Sequence, residues 1–163
     1  METIFKEKQK FTQWWLWLFL IGLGIFQIYG LFSQLIKDVP FGNKPMSDMG
    51  LIFFTLIPFG LIAFFWYMKL ETEIDEKEIR ITFIPLTKKT LKWDEIKSAS
   101  IIEYKFVGYG VRLFTSYGTV YNTKGKTGLA VELNSGEKIL IGTQKAEELT
   151  KNIEKHHKNK FVI

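Results

Sequence analysis

WWLWLFLIGLGIFQIYGLFSQLI, residues 14–36, contains no charged side chain. As a helix it spans about 34 Å, enough to cross a hydrocarbon core of about 30 Å with some tilt. A second run, MGLIFFTLIPFGLIAFFWYM (residues 49–68), is equally free of charge. A helix buried in a water-soluble protein rarely stays uncharged on every face for so long, so both runs are read as membrane spans. The first is too long for the apolar region of a signal peptide, and no small-residue cleavage pattern follows it.

Between the spans lies KDVPFGNKPMSD (residues 37–48), with two prolines and two balanced pairs of lysine and aspartate. A polar connection this short makes the spans an antiparallel hairpin. The expected organisation is a cytoplasmic tail over residues 1–10, a transmembrane hairpin over 11–70 and a cytoplasmic domain over 71–163. Lysines in the tail, with Lys69, Lys77 and Arg80 after the second span, put both termini inside by the positive-inside rule. Trp14, Trp15 and Trp17 open the first span, and Trp66 and Tyr67 close the second. In a hairpin these rings meet at one interface, where amphipathic aromatics settle. The polar residues of the spans (Gln27, Ser33, Gln34 and Thr55) are not ionisable, which disfavours an ion or proton path through this chain. Pro58 and Gly60 are expected to kink the second span.

Composition narrows the function further. The chain has 163 residues, a net charge of +5 and no cysteine. Disulfides, thiol chemistry and cysteine-based zinc sites are therefore excluded. The modest positive charge suits anionic lipid and does not by itself call for nucleic acid.

After Lys69 the periodicity becomes that of strands. Leu70, Thr72 and Ile74 alternate, then Ile79, Ile81 and Phe83, about a turn at 75–77. TKKTLKW (87–93) continues the pattern with a Lys-Lys turn. IIEYKFV, GTVYNT, GLAVEL and EKILIGT supply the rest, with a tight NSG hairpin before the last. Residues 143–158 take a helical period, with Ala146, Leu149, Ile153 and His157 as one stripe and Thr143 as the cap. The expected fold class is α+β: a transmembrane hairpin, then an antiparallel β-barrel or bent sandwich of about seven strands closed by a C-terminal helix.

KGKTG (residues 124–128) looks like the tail of a phosphate-binding loop, but the spacing fails. The first glycine of that motif would fall at Val120, and the segment joins two strands instead of a strand and a helix. It reads as a hairpin turn with solvated lysines.

The W-x-E-I turn at Trp93–Ile96, GYGVR at 108–112, LNSGEKILIGT at 133–143 and the final helix resemble the bacterial pleckstrin-homology-like domains, whose members often follow two membrane spans. The resemblance covers roughly residues 69–158. It implies a binding or scaffolding module and no catalysis, although fold alone does not fix function. The loop that grips phosphate in lipid-binding members corresponds here to the acidic IDEKEI, so the resemblance carries no phosphate site to that loop.

The binding candidates are therefore basic and aromatic: Lys88, Lys89 and Lys92 around the second hairpin, Arg112, Lys124 and Lys126, with Tyr109 and Tyr117 from an aromatic-glycine stretch that either packs inside or meets a partner. The competing reading of the lysines is ordinary solvation. His156 and His157 are adjacent on a helix and point apart, the wrong spacing for a metal pair. The acidic residues at 71–78 lack a neighbouring nucleophile and base. No catalytic residue, metal or cofactor is assigned. The expected role is a scaffold or accessory subunit at a bacterial inner membrane, docking membrane lipids, a protein partner or another copy of itself, and no nucleic acid. The alternative is an enzyme, or an enzyme-regulating subunit, with an unrecognised cleft.

Overall fold

A computed structural model describes residues 3–161. The chain divides into two compact units: Thr12–Tyr67, and the chain up to Phe11 together with everything from Met68 onward.

The Thr12–Tyr67 unit is a pair of helices, α1 (Trp14–Ile36) and α2 (Asp48–Tyr67). They run antiparallel. The Trp17 and Trp66 rings lie 6.1 Å apart at one end, and Gln34 Nε2 donates to Asp48 Oδ1 at 2.7 Å at the other. Leu20, Gly24, Gln27, Gly30 and Ser33 form the buried stripe of α1, and Leu51, Thr55 and Pro58 that of α2. Small residues in such a stripe let backbones approach. The Phe41 ring from the connection lies over Gly30, where a Cβ would stand 2.7 Å from it. Both helices are long and apolar enough to cross a membrane, yet only 28% and 17% of their most apolar windows are buried in the chain. A helix in a water-soluble core would be mostly buried. The exposed apolar faces, among them Leu18, Phe19, Ile25, Phe53 and Leu56, require some other cover.

The second unit is built from two open sheets and one helix. The first sheet has the order β1-β2-β3-β4, an antiparallel meander of β1 (Thr3–Lys10), β2 (Lys69–Asp75), β3 (Glu78–Ile84) and β4 (Thr87–Lys92). The second has the order β5-β8-β9-β7-β6, from β5 (Ile96–Glu103), β6 (Gly110–Thr115), β7 (Gly118–Asn122), β8 (Thr127–Leu133) and β9 (Lys138–Gly142). Helix α3 (Ala146–His157) follows. Alternation sets the faces: Leu70, Ile74, Ile79, Ile81 and Phe83 are fully buried. The opposite face of the first sheet is a ladder of ion pairs. Lys6 pairs with Glu73 and Lys8 with Glu71, and Arg80 reaches Glu73, Asp75 and Glu78.

Several expectations are corrected here. The segment read as a tail, from Thr3 on, is β1, paired with β2 from Thr3↔Asp75 to Lys10↔Lys69. Its inward positions are Phe5, Glu7 and Gln9, so polar side chains hide the strand pattern. At the edges of the expected 11–70 hairpin, Phe11 packs edge-on against Phe83 at 6.4 Å, and Lys69 and Leu70 belong to β2. Nine strands, not seven, occur among the described residues; β1 and β6 are the additions. Neither sheet closes, and β7 pairs with β9 in parallel. KGKTG is accordingly not a hairpin turn. It joins β7 to β8, which flank β9 on opposite sides, so the loop crosses the end of that strand. The expected Lys-Lys turn is also displaced. The chain reverses at Pro85-Leu86, where Leu86 N–H donates to Phe83 O at 2.7 Å, and Lys88 and Lys89 lie within β4. The NSG hairpin forms as read, with Gly136 at φ 85°.

Helix α3 buries Leu149 and Ile153, and the His157 ring stacks on Trp93 at 3.8 Å. Thr143 does not cap it, since the N-cap is Lys145. Burial against Trp93 lowers the His157 pKa from its ordinary 6.5, outweighing the hydrogen bond to the Asp75 backbone. The folded state therefore disfavours the imidazolium, and the stability this provides is lost as pH falls below 6.5. Glu71 and Glu73 are held below 4.5 by hydrogen bonds from Lys69 and Lys6, so their losses come at more acid pH. The urea midpoint of the protein is expected to drop between about pH 7 and pH 5, and His157→Phe to flatten that drop. Parallel curves for the two proteins would exclude His157 as the cause.

Candidate functional site

Two regions of the sheet unit carry functional side chains in unusual settings. One is a buried polar seam between the sheets. Glu7 is 4% exposed. Its carboxylate accepts from the Thr143 hydroxyl at 2.6 Å and from the Gln144 backbone N–H at 2.8 Å. Gln9 Nε2 donates to Gly142 O at 2.7 Å, and Gln9 Oε1 accepts from the Thr123 hydroxyl at 3.0 Å. A buried carboxylate is tolerable only with such donors. The seam fixes β1 against the ends of β7 and β9. No candidate residue from the sequence falls on it, because Glu7 and Gln9 look like members of a charged tail. Nearby, burial pushes the Tyr104 hydroxyl up to about 12, which keeps it protonated at neutral pH.

The other region runs along β6 and the loops at both its ends. Tyr117 is half-buried; its hydroxyl accepts from Lys105 N–H at 3.1 Å and its ring lies 6.0 Å from Tyr104. It packs; it does not present itself to solvent. Tyr109 is half-buried and stands 5.2 Å from the ring of Phe106. The outward-facing residues are others: Phe106, Leu113 and Phe114 are 66%, 60% and 99% exposed. Phe114 also has φ 58°, and the β6–β7 register slips between Arg112 and Thr115. A left-handed backbone is uncommon for a bulky residue and is costly. Arg112 is exposed on β6, its guanidinium lying over Gly108, where a Cβ would meet Nε at 2.8 Å.

The basic candidates do not form one site. Lys124 and Lys126 are exposed on the crossing loop, held through their backbones: Lys124 O accepts from Gln144 Nε2 and Lys126 O from Tyr104 N–H, both at 2.7 Å. Lys88, Lys89 and Lys92 sit on β4, the far edge of the other sheet from β1, and Lys89 is paired with Glu137. Trp14, Trp15 and Trp17 lie at the same end of the helix pair as Trp66 and Tyr67, and Trp14 and Trp66 are 74% and 70% exposed. The sequence signal that marks the β6 region is charge. Residues 104–131 hold Lys105, Arg112, Lys124 and Lys126 and no aspartate or glutamate.

No protein-family model matches this sequence, and no curated protein matches it.

Proposed function

We propose that the chain is a membrane-anchored, non-catalytic docking module, a scaffold or accessory subunit whose pleckstrin-homology-like domain stands at the cytoplasmic leaflet of a bacterial inner membrane. The observation that carries this reading is the pairing of Lys10 with Lys69 in one ladder. The two apolar helices leave the sheet unit after one strand and return into its neighbour. If both helices cross a bilayer, the strand before them and the strand after them share one side of it. The positive-inside bias assigns that side to the cytoplasm. The antiparallel meander and the closing helix support the pleckstrin-homology-like reading, with the parallel β7–β9 pair as a departure. Docking of a protein partner, a second copy or anionic lipid is the activity such an anchored domain performs, since tethering makes weak contacts effective.

The absence of cysteine gives a direct test. Asn43→Cys, in the connection between the helices, and Ser135→Cys, in the β8–β9 turn, are treated with a membrane-impermeant maleimide in intact cells. Asn43→Cys is expected to label from outside, and Ser135→Cys only after the membrane is opened. Labelling of both from the same side would end the two-span reading. Purification in mild detergent is expected to yield an oligomer or a stoichiometric complex, and a lone monomer would count against a scaffold.

A further inference from the structure

The second sheet carries a hollow of about 210 Å³ on one face, and strand register explains it. Ser98 pairs with Glu132, and Glu132 with Lys138; in the next row Ser100 pairs with Ala130, and Ala130 with Leu140. Paired residues and those two apart share a face. Three of the six side chains are small, so the face dips at Ser98, Ser100 and Ala130.

One wall is the β6–β7 turn, where Ser116 and Tyr117 line the hollow. That wall is fixed in advance. The Thr115 hydroxyl donates to Gly118 O at 2.8 Å and accepts from Tyr117 N–H at 3.1 Å, and the Tyr117 hydroxyl accepts from Lys105 N–H at 3.1 Å. Gly118 lets the turn lie close against β9, since a Cβ there would stand 2.0 Å from Lys138 O. The floor is apolar: Ala130 and Tyr117 pack on a small cluster of Tyr104, Val120 and Leu140.

The groups above that floor are polar. Ser98, Ser100 and Ser116 have no hydrogen-bond partner for their hydroxyls among the described residues. Each can donate once and accept twice. Glu132 Oε1 bonds Lys97 Nζ at 2.7 Å. The Lys97 hydrogen bond and charge hold the Glu132 pKa below its ordinary 4.5, and the Lys138 charge adds to this, so it is an ionised acceptor between two cations.

This inventory selects a ligand. Phosphate or carboxylate brings acceptors alone and meets Glu132. A cation brings donors alone and meets Lys97 and Lys138. An apolar guest would leave three hydroxyls unpaired. Hydroxyl groups both donate and accept, and a sugar ring also offers C–H surface to an apolar floor. The volume suits one such ring and falls below the range of about 300–1,000 Å³ typical of larger ligands.

We propose that this hollow binds a neutral polyol the size of a single sugar ring, hydrogen-bonded by Ser98, Ser100, Glu132 and Lys138 and resting on Ala130 and Tyr117. The site goes beyond the docking role above and stands apart from it, because every lining residue belongs to the sheet unit.

The test uses the full chain in an amine-oxide detergent, which has no sugar headgroup. Saturation-transfer NMR is recorded with glucose, galactose, mannose and myo-inositol in turn, and with gluconate and choline as anionic and cationic comparisons. Transfer to at least one of the four neutral probes is expected, and none to gluconate or choline. Titrating that neutral probe, Ser100→Leu, which fills the hollow, is expected to weaken binding about tenfold, and Glu132→Gln about fivefold. Ser98→Val removes a second hydroxyl with a residue that suits a strand, and is expected to weaken binding about fivefold, so the site is tested even if Ser100→Leu fails to fold. Ser135→Ala, in the β8–β9 turn, should leave binding unchanged. Silence from all four neutral probes overturns the site. Stronger binding of gluconate or choline overturns the ligand class. Neutral-probe binding that survives both Ser98→Val and Glu132→Gln in folded protein places the sugar elsewhere and overturns the assignment.

Discussion

A chain that begins at Met68 is expected not to fold, whereas one in which a short loop replaces Thr12–Tyr67 is expected to fold and dissolve in water. The first lacks β1. It loses the side chains of Phe5 and Phe11, 2% and 5% exposed, and burial on that scale is worth about 3–5 kcal/mol per phenylalanine. It also strips the Thr143 hydroxyl and the Gln144 N–H of the Glu7 carboxylate, at about 1–3 kcal/mol for each group left unpaired. Together these approach the entire stability of a small domain, about 5–15 kcal/mol. The second chain keeps every one of those contacts. Lys10 and Lys69 are direct partners, so Phe11 and Met68 can be joined by a hairpin loop of about two to five residues rich in Asn and Gly. Circular dichroism and urea titration distinguish the outcomes: a cooperative transition for the linked chain and none for the shortened one. Equal cooperativity in both would show that β1 is dispensable.

Gly118→Ala is expected to cost at least about 3 kcal/mol, a large effect for one methyl group. Gly118 has φ 78°, and a Cβ there would lie 2.0 Å from Lys138 O. The left-handed backbone accounts for roughly 1–2 kcal/mol with alanine. The overlap with a carbonyl oxygen can be relieved only by parting β7 from β9, the parallel pair that begins one residue later at Thr119↔Ile139. Because Gly118 also closes the turn that presents Phe114, the substitution should disturb the β6 tip before the rest of the unit. Thermal melting measures the first effect, and amide exchange along residues 110–122 the second. Gly136→Ala is the comparison: its φ is similarly positive at 85°, but nothing stands within 4 Å of the added carbon. A loss for Gly118→Ala no greater than for Gly136→Ala would refute the steric argument.

What could be read in advance follows from how each element meets its surroundings. The two helices announced themselves because an unbroken lack of charge over some twenty residues has few physical explanations. The β2–β3 meander was equally plain, since Leu70, Ile74, Ile79, Ile81 and Phe83 alternate with charged partners. β1 was hidden because its inward side chains include Glu7 and Gln9, whose burial makes sense only beside Thr143 and Thr123, more than a hundred residues away. β6 was hidden because its bulge leaves Leu113 and Phe114 both exposed and breaks the alternation. The neighbour of β7 could not be inferred from KGKTG, for a loop that crosses a strand and one that closes a hairpin use the same turn residues. As for the candidate site, the four cations between residues 104 and 131 were visible in the sequence, but the exposed pair Leu113 and Phe114 was indistinguishable from core until β6 was placed at the sheet edge.

The sheet that begins at Thr3 cannot be finished until the ribosome has passed residue 75. At about 5–20 residues per second, β1 emerges several seconds before its ladder partner β2, and longer still before Thr123, Gly142 and Thr143, which cover its buried polar side chains. During that interval the helices must find their own environment while Phe5, Glu7 and Gln9 remain unclaimed. Biogenesis thus includes a wait, for β1 is made long before the residues that bury it.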